Sequence, residues 1–292
     1  MPTLQSAPKG NSGDHSAHSF IKCVVTIYSI KSVLSDQSDC SDTFMHRPVR
    51  HKIYLLDSAF GRGGSVNAEF AAELEGYEVI SWAYAENSTI QQEASRFLKD
   101  VAHHGPVSLI GTCFGTLVAL EIISMGPSVL EKAVFIGPLL KKTASLVASA
   151  APITDAPKGQ GEADVRPSLQ LFFDSFFCED FKKNNPREFR VYSALFSQYW
   201  SKPDRLGTLK NRLDEQMNYL SDISDKLRSF KFESHKKIFI VAGENDGFIT
   251  REECARISDR FGWCLTTLPE SGHAVHIERP KECGRLVRSI LN

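Results

Sequence analysis

The 292 residues carry 34 basic and 35 acidic side chains, a net charge of −1, and such a balance argues against nucleic acid as a partner and against electrostatic attachment to a membrane. No run approaches the roughly 18 consecutive apolar residues of a membrane span, and Met1 to His18 lack the apolar centre of a secretion signal. These features lead one to expect a soluble, cytoplasmic protein, long enough to bury one large α/β core with an insertion.

Residues 1–19 are polar and read as a disordered tail. Phe20 to Ile30 alternates and is rich in Val and Ile, as an edge strand would be, and Ser32 to Asp42 reads as an exposed loop. A regular rhythm then begins. Lys52 to Leu56 is predicted as a strand, Gly61 to Ser65 as a glycine-rich loop, Val66 to Leu74 as a helix and Tyr77 to Trp82 as a strand. Ile90 to Ala102 is predicted helical, Pro106 to Ile110 a buried strand, Phe114 to Ser124 a buried helix, and Ala133 to Gly137 a further strand. Strands and helices alternating over short links indicate a parallel sheet covered on both faces.

After Gly137 the rhythm stops until Ile238 to Ala242, so residues 139–235 are read as an insertion between two parts of the core, 20–138 and 236–292. Its first stretch, Ala144 to Pro167, is rich in Ala, Pro and Gly and suggests a mobile hinge. Leu169 to Leu220 is helical in pattern and dense in aromatics, among them Phe172, Phe176 and Tyr199. Beyond the insertion follow a helix from Arg251 to Phe261, a strand from Trp263 to Leu268 and a closing helix from Pro280 to Leu291, with proline suited to the first turn.

The chemistry-bearing segment is Gly111-Thr112-Cys113-Phe114-Gly115, which fits the strand–turn–helix pattern G-x-S-x-G with cysteine at the serine position. Two later segments complete a set: Asp246 in Gly243-Glu244-Asn245-Asp246, and His273 in Ser271-Gly272-His273-Ala274-Val275-His276. On these residues the chain resembles the α/β-hydrolase superfamily from Lys52 to its end, in a cysteine-nucleophile variant with a helical lid. The order nucleophile, acid, histidine is the one that family uses. The resemblance implies an α/β-hydrolase fold, a mostly parallel sheet with helices on both faces, in which Cys113, His273 and Asp246 act as nucleophile, base and orienting acid. Glu244 is an alternative acid and His276 an alternative base.

A free thiol has a pKa of about 8.5, so a histidine partner and a helix N-terminus favour thiolate before substrate arrives. The oxyanion formed on attack needs two donors. One is the backbone N–H of Phe114; the second lies in Asp57 to Gly61, from Ala59 or Phe60, with Ala59 preferred. This loop departs from the His-Gly that relatives carry there. Its glycines also invite a dinucleotide-loop reading, but no acid ends the next strand at Trp82 and the G-x-G-x-x-G spacing is not met. No cofactor and no metal are therefore expected.

The other cysteines, 23, 40, 178, 254, 264 and 283, lack C-x-x-C spacing and read as unpaired thiols of a reducing compartment. The lid implied by the resemblance makes Phe60, Phe172, Phe176 and Tyr199 candidate substrate contacts. Together these features suggest acyl transfer through Cys113, as hydrolysis or offloading of an ester or thioester with an apolar acyl part, the substrate being a small molecule or carrier-bound. Transfer to an amine, alcohol or thiol, lactone or C–C bond hydrolysis, and a non-catalytic binding module on the same fold are the alternatives.

Overall fold

The computed structural model describes residues 51–59, 68–156, 162–229 and 238–292. The predicted tail, the Phe20 to Ile30 strand, the loop after it, the Gly61 to Ser65 loop and Phe60 lie outside these residues. Among the described residues six strands form one sheet: β1 (Lys52–Leu56), β2 (Glu78–Ser81), β3 (Val107–Cys113), β4 (Leu130–Pro138), β5 (Ile238–Gly243) and β6 (Cys264–Leu268). They lie in the order β2-β1-β3-β4-β5-β6, and every pairing is parallel. Parallel strands need both faces covered, which explains the unbroken burial of β3.

The period-2 geometry of a strand divides the core in two. Ile53 and Leu55 of β1, with Ile110, Val134 and Val241, point to one face, where Phe70 of α1 (Ala68–Glu73) and Cys283, Val287 and Leu291 of α11 (Pro280–Leu291) cover them. Tyr54 and Leu56, with Leu109, Phe135 and Ile240, point to the other, covered by α2 (Ile90–Val101) and α3 (Phe114–Met125). Helix α2 starts in a capping box, the Thr89 side chain accepting from Gln92 N–H and the Gln92 side chain from Thr89 N–H. It buries Ile90, Ala94, Phe97 and Val101 at helical spacing.

Five helices fill the interval between β4 and β5 among the described residues: α4 (Ala144–Thr154), α5 (Glu162–Asp174), α6 (Glu179–Asn184), α7 (Pro186–Trp200) and α8 (Pro203–Ser229). Of the stretch Ala144 to Pro167 read as a hinge, Ala144–Thr154 forms α4 and residues 162–167 open α5, while residues 157–161 lie outside the described residues. Thr143 caps α4 by accepting from Leu146 N–H at 3.3 Å, alanine favours helix, and Leu146, Ala150 and Ile153 give the helix a buried face. Helix α8 is fastened to α3 by Glu121, whose Oε2 accepts from Tyr219 Oη at 2.8 Å and from Lys226 Nζ at 3.3 Å. Beyond β5 come α9 (Arg251–Phe261), the one-turn α10 (Val275–Glu278) and the closing helix α11.

Candidate active site

Strand β3 runs straight into α3 with Cys113 at the joint. The residue takes φ 51° and ψ −113°, a conformation that costs a non-glycine residue on the order of 1–3 kcal/mol. The two flanking glycines are explained by close approach. A Cβ at Gly115 would stand 1.9 Å from the Leu56 carbonyl oxygen, and one at Gly111 would stand 2.9 Å from the carbonyl oxygen of Gly115. The spacing Gly-x-Cys-x-Gly thus lets β1 and α3 pack against the same turn. Phe114 is the first residue of α3, so its N–H belongs to the group that finds no partner within the helix.

Asp246 and His273 lie beyond the C-terminal ends of β5 and β6, the edge at which Cys113 also sits. Asp246 Oδ1 accepts from the backbone N–H of Phe248 at 2.8 Å and of Ile249 at 3.2 Å, while Oδ2 lies 2.9 Å from His273 Nδ1. Both side chains are withdrawn from solvent. Burial lowers the affinity of His273 for a proton, but the Asp246 carboxylate and, after it, Cys113 outweigh this and raise its pKa to about 10. Cys113 acts on the ring by charge, while Nε2 of His273 is buried and makes no hydrogen bond among the described residues. The imidazole and the carboxylate are thus joined by a hydrogen bond.

The loop carrying His273 is gripped from two sides. Gly137, at φ +49°, lets β4 pass so close that a Cβ there would stand 2.1 Å from the His273 carbonyl oxygen. On the other side Ala274 N–H donates to the Phe176 carbonyl at 2.9 Å. Glu278 accepts from Gly272 N–H at 3.0 Å and from Cys178 N–H at 3.2 Å. Burial raises the Glu278 pKa despite these bonds.

Among the candidate contacts, Phe176 packs on His273 with ring centroids 5.3 Å apart, and Phe172 packs edge-on against Phe176 at 5.1 Å. Tyr199 is elsewhere in the helical segment, beneath the Arg205 guanidinium at 3.8 Å and against Trp200. Ala59 is fully buried, and its carbonyl accepts from Arg212 Nη1 at 2.8 Å. His276 is buried and points one nitrogen, Nδ1, at no partner. Burial, and then the charge of His273, hold its pKa down at about 3. Glu244 is exposed, and it is Asp246 that the structure joins to His273.

Four further residues shape the site. Phe248 stacks edge-on against His273 at 5.0 Å. Asp57 Oδ1 accepts from Ser58 N–H at 2.8 Å and from Thr112 Oγ1 at 3.3 Å, tying the end of β1 to the elbow. Tyr84 donates to the Asp57 carbonyl at 2.8 Å and packs against Phe114 at 5.4 Å. Arg212 reaches this cluster from α8. Phe248, two residues past Asp246, was the one with a local sequence signal; the other three depend on contacts between distant segments. Among the described residues no group of three or more metal-ligating side chains occurs, and no helix is long and apolar enough to cross a membrane.

The family model "Alpha/beta hydrolase family" matches residues 41–286. Among solved structures, an alpha/beta hydrolase enzyme from a Medee basin deep-sea metagenome library, MGS-M2, superposes with a TM-score of 0.69 at 15% identity over 87% of this chain and 92% of that one. A thermophilic esterase from Thermogutta terrifontis gives 0.64 at 15% identity over 82% and 89%. The enol-lactonase from Burkholderia xenovorans LB400 gives 0.63 at 14% identity over 83% and 91%. No curated protein matches the chain in sequence.

Proposed function

Because the chain belongs to the alpha/beta hydrolase family, we propose that it catalyses acyl transfer through a thioester on Cys113, most simply the hydrolysis of an ester or thioester. The observation that supports this reading is the pair His273 Nδ1–Asp246 Oδ2 at 2.9 Å, at the sheet edge where the strained Cys113 elbow also lies. His273 takes the thiol proton, Asp246 holds the tautomer and stabilises the imidazolium, and the thiolate attacks the substrate carbonyl. The Phe114 N–H and a donor from the Ala59 segment receive the oxyanion. Collapse expels the leaving group, which takes the proton from His273. Water, activated by the same base, then releases the acid and restores the thiol.

Helices α4–α8 act in this scheme as the lid over the nucleophile, with Phe172 and Phe176 as apolar walls beside His273. Tyr199 belongs to the same lid at its Arg205 corner, and Phe60 is proposed as a further contact. The esterase and lactonase among the structural relatives share the fold at 14–15% identity, and that degree of likeness is compatible with either ring or open-chain esters.

A thioester intermediate hands its acyl group to amines and thiols more readily than an oxygen ester does. Adding a soluble amine or thiol nucleophile during turnover is therefore expected to divert product from free acid to adduct in the wild type, and to divert less in Cys113→Ser. Equal product ratios in the two proteins, measured by chromatography, would argue against a role for sulfur.

A further inference from the structure

The lid helices also deliver a buried cation to the site. Arg212 of α8 is only 9% exposed, and among the described residues its one hydrogen bond runs from Nη1 to the Ala59 carbonyl at 2.8 Å. Its guanidinium carbon lies 5.5 Å from the centroid of the Tyr84 ring, and that ring in turn packs against Phe114. Among the described residues no carboxylate forms an ion pair with it. Tyr84, then Glu93, Tyr199 and Glu86, act on it through space, and Glu93 is already engaged by Trp82, Ala85, Ser88 and Arg96. A buried charge without a counter-charge is costly, and a guanidinium recognises carboxylates through two parallel N–H groups. With Nη1 committed to Ala59, the Nε–Nη2 edge is the pair that has no acceptor among the described residues.

We propose that this edge of Arg212 binds a carboxylate carried by the substrate, so that the preferred substrate of the acyl-transfer site is an anionic ester or thioester rather than a purely apolar one. The proposal rests on the acyl-transfer reading above for where the substrate lies. The guanidinium is one ring removed from the first residue of α3, which places the carboxylate in the same molecule as the reacting carbonyl.

The test compares matched esters that differ only in a terminal carboxylate or its neutral methyl-capped form, one pair with the group on the acyl side and one with it on the leaving side. In wild-type protein kcat/KM is expected to favour the anion by about ten- to hundredfold in one of the two pairs, as a charged hydrogen-bonded contact would, and Arg212→Gln is expected to collapse that ratio. If both members of each pair fall together while the ratio stays, Arg212 merely holds Ala59 and the proposal is overturned; a wild type indifferent to the carboxylate overturns it as well. Failure of the covalent reading is distinguishable. Cys113→Ala should still gain thermal stability from the anionic ester and the doubly substituted Cys113→Ala, Arg212→Gln protein should not, whatever the nucleophile proves to be.

Discussion

The two oxygens of Asp246 have separate partners: Oδ1 closes the turn through the amides of Phe248 and Ile249, and Oδ2 orients His273. Turn capping and imidazole orientation thus coexist in one side chain, and substitutions can separate them. Asn in its place keeps an oxygen for the two amides but offers an N–H to Nδ1, imposing the other tautomer. Asp246→Asn is expected to retain its melting temperature within a few degrees while turnover falls by about 10³–10⁴-fold. Asp246→Ala should lose turnover and, in addition, about 1–2 kcal/mol of stability with the lost cap. Kinetics and thermal denaturation of the two variants side by side check this. Cys113, Asp246 and His273 were legible in the sequence because each sits in a short local pattern. Tyr84, Arg212 and Glu278 were not, since Arg212 meets Ala59 across 153 residues and Glu278 meets Cys178 across 100.

At the scale of elements, the His273 loop and the turn between α5 and α6 are stitched together by Glu278 and by the Ala274–Phe176 backbone bond. The proposed lid and the histidine therefore share one support. Glu278→Gln leaves a single oxygen for two amides and turns an N–H toward one of them. The variant is expected to lose about 1–3 kcal/mol and to exchange the amides of Gly272 and Cys178 faster than the wild type, as hydrogen-exchange mass spectrometry would resolve; unchanged protection at both would show that Glu278 does not join the two segments. The strands were readable to within a few residues because buried parallel strands are short apolar runs bounded by turns. The β3 strand extends further than its apolar run, through Gly111 and Thr112 to Cys113, because pairing with β4 reaches Pro138. The helix least legible in the sequence is α4, where alanine and proline suggest a hinge and what favours the helix, the Thr143 cap and the face buried against α8, is a weak local signal and a tertiary contact.

For the whole molecule, the sheet order brings the ends of β3, β5 and β6 to one edge, and this assembles residues 113, 246 and 273 from three separated segments. The alternation of strand and helix made the parallel sheet legible, whereas the path of the helices between β4 and β5 was not, because an aromatic-rich helix pattern does not say which face it covers. Two buried histidines give the fold opposite pH responses. His276, depressed to about 3 in the folded state against an ordinary value near 6.5, is neutral when folded and charged when unfolded between these values. Its contribution is present above pH ~6.5 and lost as pH falls toward 3. His273, raised to about 10, binds its proton more tightly when folded, so its contribution is present below pH ~6.5 and lost as pH rises through 10. Denaturant unfolding across pH should place maximal stability near neutrality, and His276→Leu should flatten the acid limb by a few kcal/mol; an unchanged limb would mean that His276 is not held neutral.

A covalent acyl group on Cys113 is the intermediate proposed for this protein, and mass spectrometry of the intact protein tests for it most directly. After brief incubation with a panel of activated esters and acyl thioesters, neutral and carboxylate-bearing, and an acid quench, the wild type is predicted to gain the mass of one acyl group, located by peptide mapping on Cys113. Cys113→Ala is predicted to gain none and to lose turnover. A wild type that turns over without acylation at Cys113, or a Cys113→Ala protein that turns over equally well, would contradict the account.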